Sequence, residues 1–243
     1  MRQIWFDDPN DRVKLKGIYI AVSGNSGSGK TTLINSVVNE FENDKLVIGV
    51  NERRLHHPLL KLMFFRPIEY AFVVQLHFMI MRFSVLYRLL QLGFTVIIER
   101  SHYDDIMFVE DHFSIGNISD EQFCIYKLLK NNLHKFLPEP DLHIFLEVTP
   151  KISLERIKAG ELNGERPKEF PNEQNKFDCL SRWDKMYKEF YTTLLEEKNG
   201  GMRFQNTKIE LYSEQMSTKQ TVNKVVQTIK SIKERHYVQF QSD

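Results

Sequence analysis

The sequence predicts an α/β fold in which a central parallel sheet of about five strands carries helices on both faces. Apolar, β-branched runs alternate with amphipathic segments along the chain, and this order is typical of parallel sheets. The 243 residues, 42% of them hydrophobic, are enough to form one domain of this kind with a sizeable core. We therefore predict a single domain over residues 1–243, with ligands bound at the carboxyl ends of the strands.

Each predicted strand is followed by at least one predicted helix. The strands are the apolar runs at 18–22, 46–50, 95–98, 142–148 and 208–212. The helices are the amphipathic or strongly apolar segments at 31–42, 70–90, 120–136, 150–158, 181–195 and 218–233. Thr149 and Pro150 mark one helix start, because threonine caps helix N-termini and proline fits the first helical position.

The composition argues against several classes of protein. The 33 Lys and Arg residues nearly balance the 32 Asp and Glu residues, and no basic stripe with interleaved aromatic residues appears, so we expect no nucleic-acid partner. The most hydrophobic segment, residues 70–90, contains Gln75, Arg82 and Arg88, which are costly in lipid, so we predict a buried helix and no membrane partner. The two cysteines lack metal-ligand spacing and residues 1–16 lack the apolar core of a secretion signal, so we expect a cytoplasmic location.

The segment between the first strand and the first helix carries the most specific motif. Residues 24–31, here called the phosphate loop, fit the phosphate-binding pattern G-x-x-x-x-G-K-[ST]. Its glycines let backbone N–H groups point at a nucleotide's phosphates, and the next helix directs its positive end at the same anion. Lys30 adds charge for the β- and γ-phosphates, and the Thr31 hydroxyl is a candidate Mg²⁺ ligand. The residues predicted to bind a nucleoside triphosphate are Gly24, Asn25, Ser26, Gly27, Ser28, Gly29, Lys30, Thr31 and Thr32.

Charged residues follow the second and third predicted strands at the same edge of the sheet. Glu52 comes after the second strand, and Glu99 and Arg100 come after the third. Transfer of a γ-phosphoryl group needs positioned charge, a metal and a proton acceptor. Glu52 is the candidate proton acceptor, Arg100 the cation for the transferring group and Glu99 a Mg²⁺ ligand acting through water. The spacing alone leaves open a solvated loop around Glu52.

These residues resemble the deoxynucleoside kinase family, of the deoxyadenosine, deoxyguanosine and deoxycytidine kinase type. The resemblance covers residues 18–191. Its markers are the phosphate loop, the triplet E-R-S at 99–101, and Gln75, Arg82, Tyr103 and Asp105. The resemblance implies a P-loop kinase-type three-layer fold with a lid segment at about 158–170, Glu52 as general base, ATP and Mg²⁺ as cofactors, and a homodimer.

The acceptor pocket is predicted from the long apolar helix. Gln75, Met79 and Arg82 are spaced to share one helix face, and Asp105 can orient Arg82 through a bidentate ion pair. In the family, such a glutamine, arginine and aspartate set binds the nucleobase, so the resemblance implies a deoxynucleoside substrate, with a purine preferred. The residues alone leave open that Arg82 extends from an apolar helix to solvent.

Two segments depart from the family pattern. Phe64 stands where family members have a tyrosine that hydrogen-bonds the sugar 3′-hydroxyl, and Glu165 of the lid remains for that contact. Arg156 is the clear match to the lid arginines of the family. Its candidate substitutes are Lys158, Arg166 and Lys168. Lysine is a point charge where arginine is a planar fork, so these replacements are not neutral for phosphate binding.

Three functions remain open. The leading hypothesis is ATP-dependent phosphorylation of a deoxynucleoside 5′-hydroxyl in nucleotide salvage, with Lys30, Arg100, Arg156 and Mg²⁺ stabilising the γ-phosphoryl charge. The second is a nucleoside monophosphate kinase of the thymidylate kinase type, in which Arg53 or Arg54 supplies charge for the acceptor's phosphate. The third is a kinase-like subunit that binds nucleotide without chemistry, which the few arginines of the lid favour.

Overall fold

The computed structural model describes residues 17–55, 57–201 and 203–240, and within them it contains one sheet of five parallel strands. The strands are β1 (Ile18–Gly24), β2 (Val47–Val50), β3 (Thr95–Glu99), β4 (Leu142–Glu147) and β5 (Lys208–Ser213). Their order across the sheet is β2-β3-β1-β4-β5. The predicted parallel sheet of about five strands is confirmed, and its carboxyl ends all point to one edge.

Helices cover both faces of this sheet. In the described ranges they are α1 (Lys30–Glu40), α2 (Leu60–Phe65), α3 (Pro67–Gln91), α4 (Asp104–Ser114), α5 (Asp120–His134), α6 (Pro150–Leu162), α7 (Glu173–Asn199) and α8 (Thr218–Phe240). Alternate residues of β1 enter different cores: Tyr19 packs with residues of α3, α4, α5 and α7, whereas Ile20 packs with residues of α1 and α8. This alternation is the period of two expected of a strand that is buried on both faces.

The main difference from the sequence prediction is α4, which the pattern did not reveal. This helix buries apolar residues together with polar ones, among them Asp104, Asp105 and Asp111, so hydrophobicity alone does not mark its buried positions. The predicted lid at 158–170 is also partly helical, because α6 continues to Leu162. The short helix α2 and a 3₁₀ helix at Glu52–Leu55 were not predicted either.

Helix α3 is, in the part of the chain that the structure describes, the one helix long and apolar enough to cross a membrane by length and composition. Of its most apolar window, 39% is buried inside the protein. Its polar residues Gln75 and Arg82 are buried against other parts of the chain. These contacts favour a helix packed on the sheet, which is what the sequence predicted.

Candidate active site

A cavity of about 520 Å³ lies at the carboxyl ends of β1, β2 and β3. The phosphate loop forms one wall, and the 3₁₀ helix, α2, α3 and α4 contribute the others, together with the segment that joins α6 to α7. Lys30 and Glu52, on which the sequence hypothesis depends, line the same cavity. The parallel topology therefore brings together charges that are separated by about twenty residues of sequence.

Six of the nine residues predicted to bind the nucleotide line this cavity. These are Ser26, Gly27, Gly29, Lys30, Thr31 and Thr32. Gly24 and Asn25 instead border a second cavity behind the loop, and Ser28 borders a third beside it. The turn needs glycine at Gly27, where φ is 78° and a Cβ would lie 2.7 Å from the carbonyl oxygen of Ser153.

Lys30 begins α1 and folds back onto the phosphate loop. Its Nζ donates to the carbonyl oxygens of Gly24 at 3.0 Å and Asn25 at 2.8 Å. Burial lowers the pKa of Lys30 to about 8, with a further contribution from the Arg100 charge. No side chain caps the N-terminus of α1, so its first N–H groups are available to an anion.

Thr31 and Glu99, the predicted metal ligands, contact each other directly. The Thr31 Oγ1 donates to Glu99 Oε2 at 2.9 Å, and the Lys30 Nζ lies 3.7 Å from Glu99 Oε1. A hydroxyl beside a carboxylate suits Mg²⁺, which takes oxygen ligands and keeps several waters. Among the described residues no group of three or more His, Cys, Asp or Glu could hold a metal, so phosphate oxygens and water would have to complete its shell.

Glu52 is held in a network of opposite charges. The Arg100 Nη1 donates to Glu52 Oε1, and the Arg82 Nη2 lies 3.8 Å from the same oxygen. Burial alone would raise the pKa of Glu52, but Arg100, Arg82 and Lys30 outweigh it and lower the pKa to about 2. Glu52 is therefore a charged carboxylate inside the site, and the solvated loop left open by its spacing is not what the structure contains. Arg53, by contrast, is exposed and lines the cavity.

Arg100 has a backbone conformation that is uncommon for its residue type. Its φ of 65° lies in the left-handed region, which costs of order 1 kcal/mol or more outside glycine and asparagine. Its N–H donates to the Val22 carbonyl oxygen at 2.8 Å. Its Nε donates to the Tyr187 hydroxyl at 3.1 Å, and its Cζ lies 4.5 Å from the centre of the Phe108 ring. Left-handed backbone at a charged residue of this kind is a feature of functional sites.

The predicted ion pair between Arg82 and Asp105 is confirmed, in a different form. A single nitrogen, Arg82 Nε, lies 3.1 and 3.0 Å from the two Asp105 oxygens, whereas the predicted bidentate pair uses two nitrogens. The Arg82 Nη1 donates instead to the Glu99 carbonyl oxygen at 2.6 Å. Only 1% of Arg82 is exposed, so it does not extend to solvent. Burial raises the pKa of Asp105 to about 6, although Arg82 partly offsets that effect.

Two predicted substrate-binding residues of α3 do not line the cavity. Arg82 lies behind its wall, where its partners Glu52 and Asp105 face the open space. Met79, predicted to contact substrate, is 1% exposed and packs in the apolar core. The cavity runs along α3 only from Gln75 to Phe78, because the following turns pack against α4 and the sheet.

Glu165 is the lid residue that the sequence assigns to the sugar 3′-hydroxyl. It is exposed and does not line the cavity, whereas Glu169 is buried and does. The Arg166 Nη2 contacts Ser26 Oγ and Glu169 Oε2, each at 3.0 Å, so the chain turns inward at Arg166 after Gly164. No local pattern distinguishes Glu169 from Glu165, because the contacts of Arg166 form only in the folded chain.

The remaining lid cations divide into two groups. Arg156 and Arg166 line the cavity, and the Arg156 Nη1 lies 3.4 Å from the carbonyl oxygens of Gly27 and Ser28. Lys158 pairs with Glu173 at 2.7 Å and, like Lys168, does not line the cavity. These contacts therefore do not support the expectation that Lys158 or Lys168 takes the place of a lid arginine of the family.

Aromatic rings close the other side of the cavity. The Phe64 ring packs on Phe170 with 4.3 Å between ring centres, and Gln75 and Phe78 lie on the α3 wall. Phe108 and Trp183 pack edge to face at 5.2 Å. The sequence prediction missed Phe108, Phe170 and Trp183. Helix α4, which carries Phe108, was not recognised, and Phe170 before α7 and Trp183 on α7 reach the cavity only through the tertiary fold.

A comparison with families of known proteins matches residues 20–234 to the family described as deoxynucleoside kinase. The chain belongs to the deoxynucleoside kinase family. This confirms the resemblance inferred from the phosphate loop and the residues around Glu99, and the family consists of phosphotransferases that act on a hydroxyl group.

Individual deoxynucleoside kinases match at moderate identity. The chain is 31% identical over 186 residues to deoxyguanosine kinase of Dictyostelium discoideum, which covers 75% of this chain and 60% of that protein. It is 31% identical over 147 residues to deoxyadenosine kinase of the same organism, covering 59% and 57%. Deoxyguanosine kinase of Lactobacillus johnsonii is 25% identical over 218 residues, covering 88% and 93%. The matched segment thus spans about three fifths of the length of the two Dictyostelium relatives.

Solved deoxynucleoside kinases share the fold. Deoxyadenosine kinase from M. mycoides with bound dCTP superposes with a TM-score of 0.67 at 18% identity, covering 87% of this chain and 98% of that one. The same enzyme with bound dATP gives a TM-score of 0.62 at 18% identity, covering 88% and 99%. At this identity the likeness establishes the three-layer α/β fold.

Proposed function

We propose that this protein transfers the γ-phosphate of ATP to the 5′-hydroxyl of a deoxynucleoside in nucleotide salvage, with a purine deoxynucleoside preferred. The observation that carries the proposal is the shared cavity of Glu52 and the phosphate loop. Glu99 bridges these two parts, because its Oε2 accepts from both the Thr31 hydroxyl and the Glu52 backbone N–H at 3.2 Å. Phosphoryl transfer needs a phosphate-binding loop and a proton-accepting carboxylate close to each other.

On the donor side, the phosphate loop and the N-terminus of α1 bind the phosphates. Lys30 leaves the carbonyl oxygens of the loop for the more negative β- and γ-phosphates, while Arg156 and Arg166 approach them from the lid side. Thr31 and Glu99 would hold Mg²⁺, directly or through water. When bound, the metal neutralises charge on the phosphate oxygens.

On the acceptor side, Glu52 takes the proton of the 5′-hydroxyl. Its pKa of about 2 makes it a weak base while Arg100 is paired with it. A γ-phosphoryl group near Arg100 competes for the same guanidinium, so Glu52 loses part of its pairing when the donor is in place. Its basicity therefore rises where a hydroxyl proton must be accepted, and Arg100 carries the charge of the transferring group.

The nucleobase fits between the α3 wall and the aromatic side of the cavity. The Gln75 amide both donates and accepts, and Asp105, fixed by Arg82, presents a carboxylate beside it. The deoxyguanosine and deoxyadenosine kinases among the relatives support a purine. We assign Glu169, rather than Glu165, to the sugar 3′-hydroxyl, with Phe64 packing on the sugar.

A nucleoside monophosphate kinase is the second candidate function. Arg53 favours it, because this exposed cation lines the cavity next to Glu52 and is available to a phosphate on the acceptor. An acceptor that already carries a phosphate needs such a charge, whereas a nucleoside does not.

We further propose that residues 1–243 form one domain that works as a homodimer in the cytoplasm, without nucleic acid or membrane. The outer faces of α3 and α5 support the dimer, since they leave apolar side chains exposed, including Ile68 at 73%, Ile125 at 55% and Leu128 at 68%. Helices α3 and α5 contact each other, and apolar side chains exposed on adjacent helices are typical of protein interfaces. Sedimentation of the purified protein as a monomer at micromolar concentration would contradict this part of the proposal.

The test is a coupled phosphorylation assay with ATP and Mg²⁺. The acceptors are the four deoxynucleosides, the matching ribonucleosides and dTMP. We expect deoxyadenosine or deoxyguanosine to be phosphorylated fastest, and Glu52→Gln to lower kcat by roughly a hundredfold or more with nearly unchanged ATP binding. Preference for dTMP would select the monophosphate kinase, and absence of turnover with every acceptor would indicate a non-catalytic subunit.

A further inference from the structure

The Tyr187 hydroxyl contacts the side chain of Arg100 from helix α7. The Arg100 Nε donates to it at 3.1 Å, and both residues are buried. The other sides of the guanidinium contact Glu52, through Nη1, and the Phe108 ring, which lies 4.5 Å from Cζ. Groups from three separate elements therefore surround this one charge: the 3₁₀ helix, α4 and α7.

The Arg100 backbone is held in place by a defined conformation and a hydrogen bond. Its φ of 65° is accompanied by a hydrogen bond from its N–H to Val22. Nε is the guanidinium nitrogen nearest the main chain. Because the guanidinium is rigid and planar, a partner at Nε orients the whole group while leaving both Nη groups free to contact other acceptors.

We propose that Tyr187 is a positioning residue for the proposed phosphoryl transfer, because its hydroxyl holds Arg100 Nε while the Nη groups exchange Glu52 for the γ-phosphoryl oxygens. The inference rests on the proposed function, in which Arg100 leaves Glu52. A neutral hydroxyl is suited to this task, since a carboxylate at the same place would compete with phosphate for the guanidinium. Burial raises the pKa of Tyr187 well above its ordinary value, so the hydroxyl stays neutral across the physiological range.

Helix α7 also contacts the phosphate loop two turns before Tyr187. The Asn25 Nδ2 donates to the Leu180 carbonyl oxygen at 2.8 Å, and both groups are buried. One continuous helix therefore fixes the distance between the loop that cradles the phosphates and the nitrogen that orients Arg100. The bond at Nε therefore fixes the position of Arg100 relative to the phosphate loop, and so relative to the γ-phosphoryl group that the loop would hold.

Removal of the hydroxyl alone leaves the packing of Tyr187 intact. Its ring contacts Phe108 edge to face at 6.3 Å and borders the second cavity, which has about 250 Å³. Tyr191 lies one turn later on α7, borders the same cavity and packs on Phe145 at 5.0 Å. Tyr191→Phe therefore deletes the same group from the same helix without touching Arg100, and serves as the matched control.

The experiment compares Tyr187→Phe, Tyr191→Phe and the wild type in steady-state kinetics with ATP and the best deoxynucleoside of the panel. We expect Tyr187→Phe to lower kcat about tenfold, the effect of losing one hydrogen bond to a charged group, with both KM values within twofold of wild type. Tyr191→Phe should match the wild type. A Tyr187→Phe enzyme with wild-type kcat, or one whose loss is accompanied by an equal change in KM or by early thermal unfolding, overturns the inference.

A second measurement does not depend on turnover. The Arg100 Nε–H signal in ¹⁵N-resolved NMR spectra, assigned by its disappearance in Arg100→Lys, should exchange slowly with water in the wild type and in Tyr191→Phe, and several-fold faster in Tyr187→Phe. Equal exchange in all three overturns the contact on which the inference depends. A wild type without kinase activity refutes the proposed function and the inference together, whereas an active wild type with an unaffected Tyr187→Phe refutes only the inference.

Discussion

The Thr31 hydroxyl donates a 2.9 Å hydrogen bond to the Glu99 carboxylate. This contact joins the second residue of α1 to the last residue of β3. It places a hydroxyl and a carboxylate at the floor of the cavity, between the loop that would hold the donor and the carboxylate that would meet the acceptor. The phosphate loop, the lid and the buried ion pair of Arg82 and Asp105 can each be tested separately.

We expect nucleotide affinity to fall as pH rises above about 8, because burial lowers the pKa of Lys30 to about 8 and only its charged form attracts phosphate. Below that pH the amine is protonated and binding is at its full strength. The measurement is the Kd of ADP by calorimetry from pH 6.5 to 10. Lys30→Arg, which stays charged throughout, should bind without this alkaline loss, and a wild-type Kd that is constant to pH 10 would refute the assignment.

Asp105→Asn should lower the free energy of unfolding by roughly 3 kcal/mol, since it deprives the buried Arg82 of its nearest carboxylate and leaves only Glu52, at 3.8 Å, as an opposite charge. Urea denaturation measures the change. Asp184→Asn is the control, because Asp184 pairs with the half-exposed Lys188 at 2.9 Å and a surface pair of this type contributes about 0.5 kcal/mol. Equal effects of the two substitutions would contradict the importance of the buried pair.

Gly27→Ala should weaken ADP binding at least tenfold. Its φ of 78° already disfavours alanine, and the added Cβ would lie 2.7 Å from the Ser153 carbonyl oxygen, so the loop or α6 must move. Gly116→Ala separates the two causes, because Gly116 has a φ of 76° and nothing within 4 Å of the added Cβ. That control should lose about 1 kcal/mol of stability but no ADP affinity. Equal ADP affinity in the two variants would show that the clash is harmless.

Glu169→Gln should raise the KM for the deoxynucleoside about tenfold, because Glu169 is the lid carboxylate that lines the cavity. Glu165→Gln should leave that KM unchanged, because Glu165 is exposed outside it. Steady-state kinetics with the nucleoside varied at saturating ATP distinguishes them. A raised KM for Glu165→Gln with an unchanged KM for Glu169→Gln would instead assign the sugar contact to Glu165, as the sequence predicts.

Sequence patterns predicted the elements whose signal is local. The phosphate loop, the five strands and the long apolar helix depend on spacing within about twenty residues, and the structure places them as expected. Residues directly after strands, such as Glu52 and Arg100, were predictable because parallel topology sends them to one edge.

Other features depend on packing that no local pattern records. Helix α4 buries polar and apolar residues alike, so neither Phe108 nor the pairing of Asp111 with Trp183 could be expected. Met79 has the right helical spacing, yet the cavity ends before it. Glu165 and Glu169 were indistinguishable by composition, since only the inward turn at Arg166 decides which carboxylate enters.

Strand β3 lies between β2 and β1, so its register with both neighbours sets the position of the charged residues at its carboxyl end. Glu99 is in register with Val22 of β1, and Ile98 is in register with Val50 of β2. A slip of one residue would send every β3 side chain to the opposite face, burying the Glu99 carboxylate among the apolar residues of one core. A chain with β3 out of register would therefore be less stable than the native one. The interactions that stabilise the correct register thus also place Glu99, and Arg100 directly after it, at the cavity.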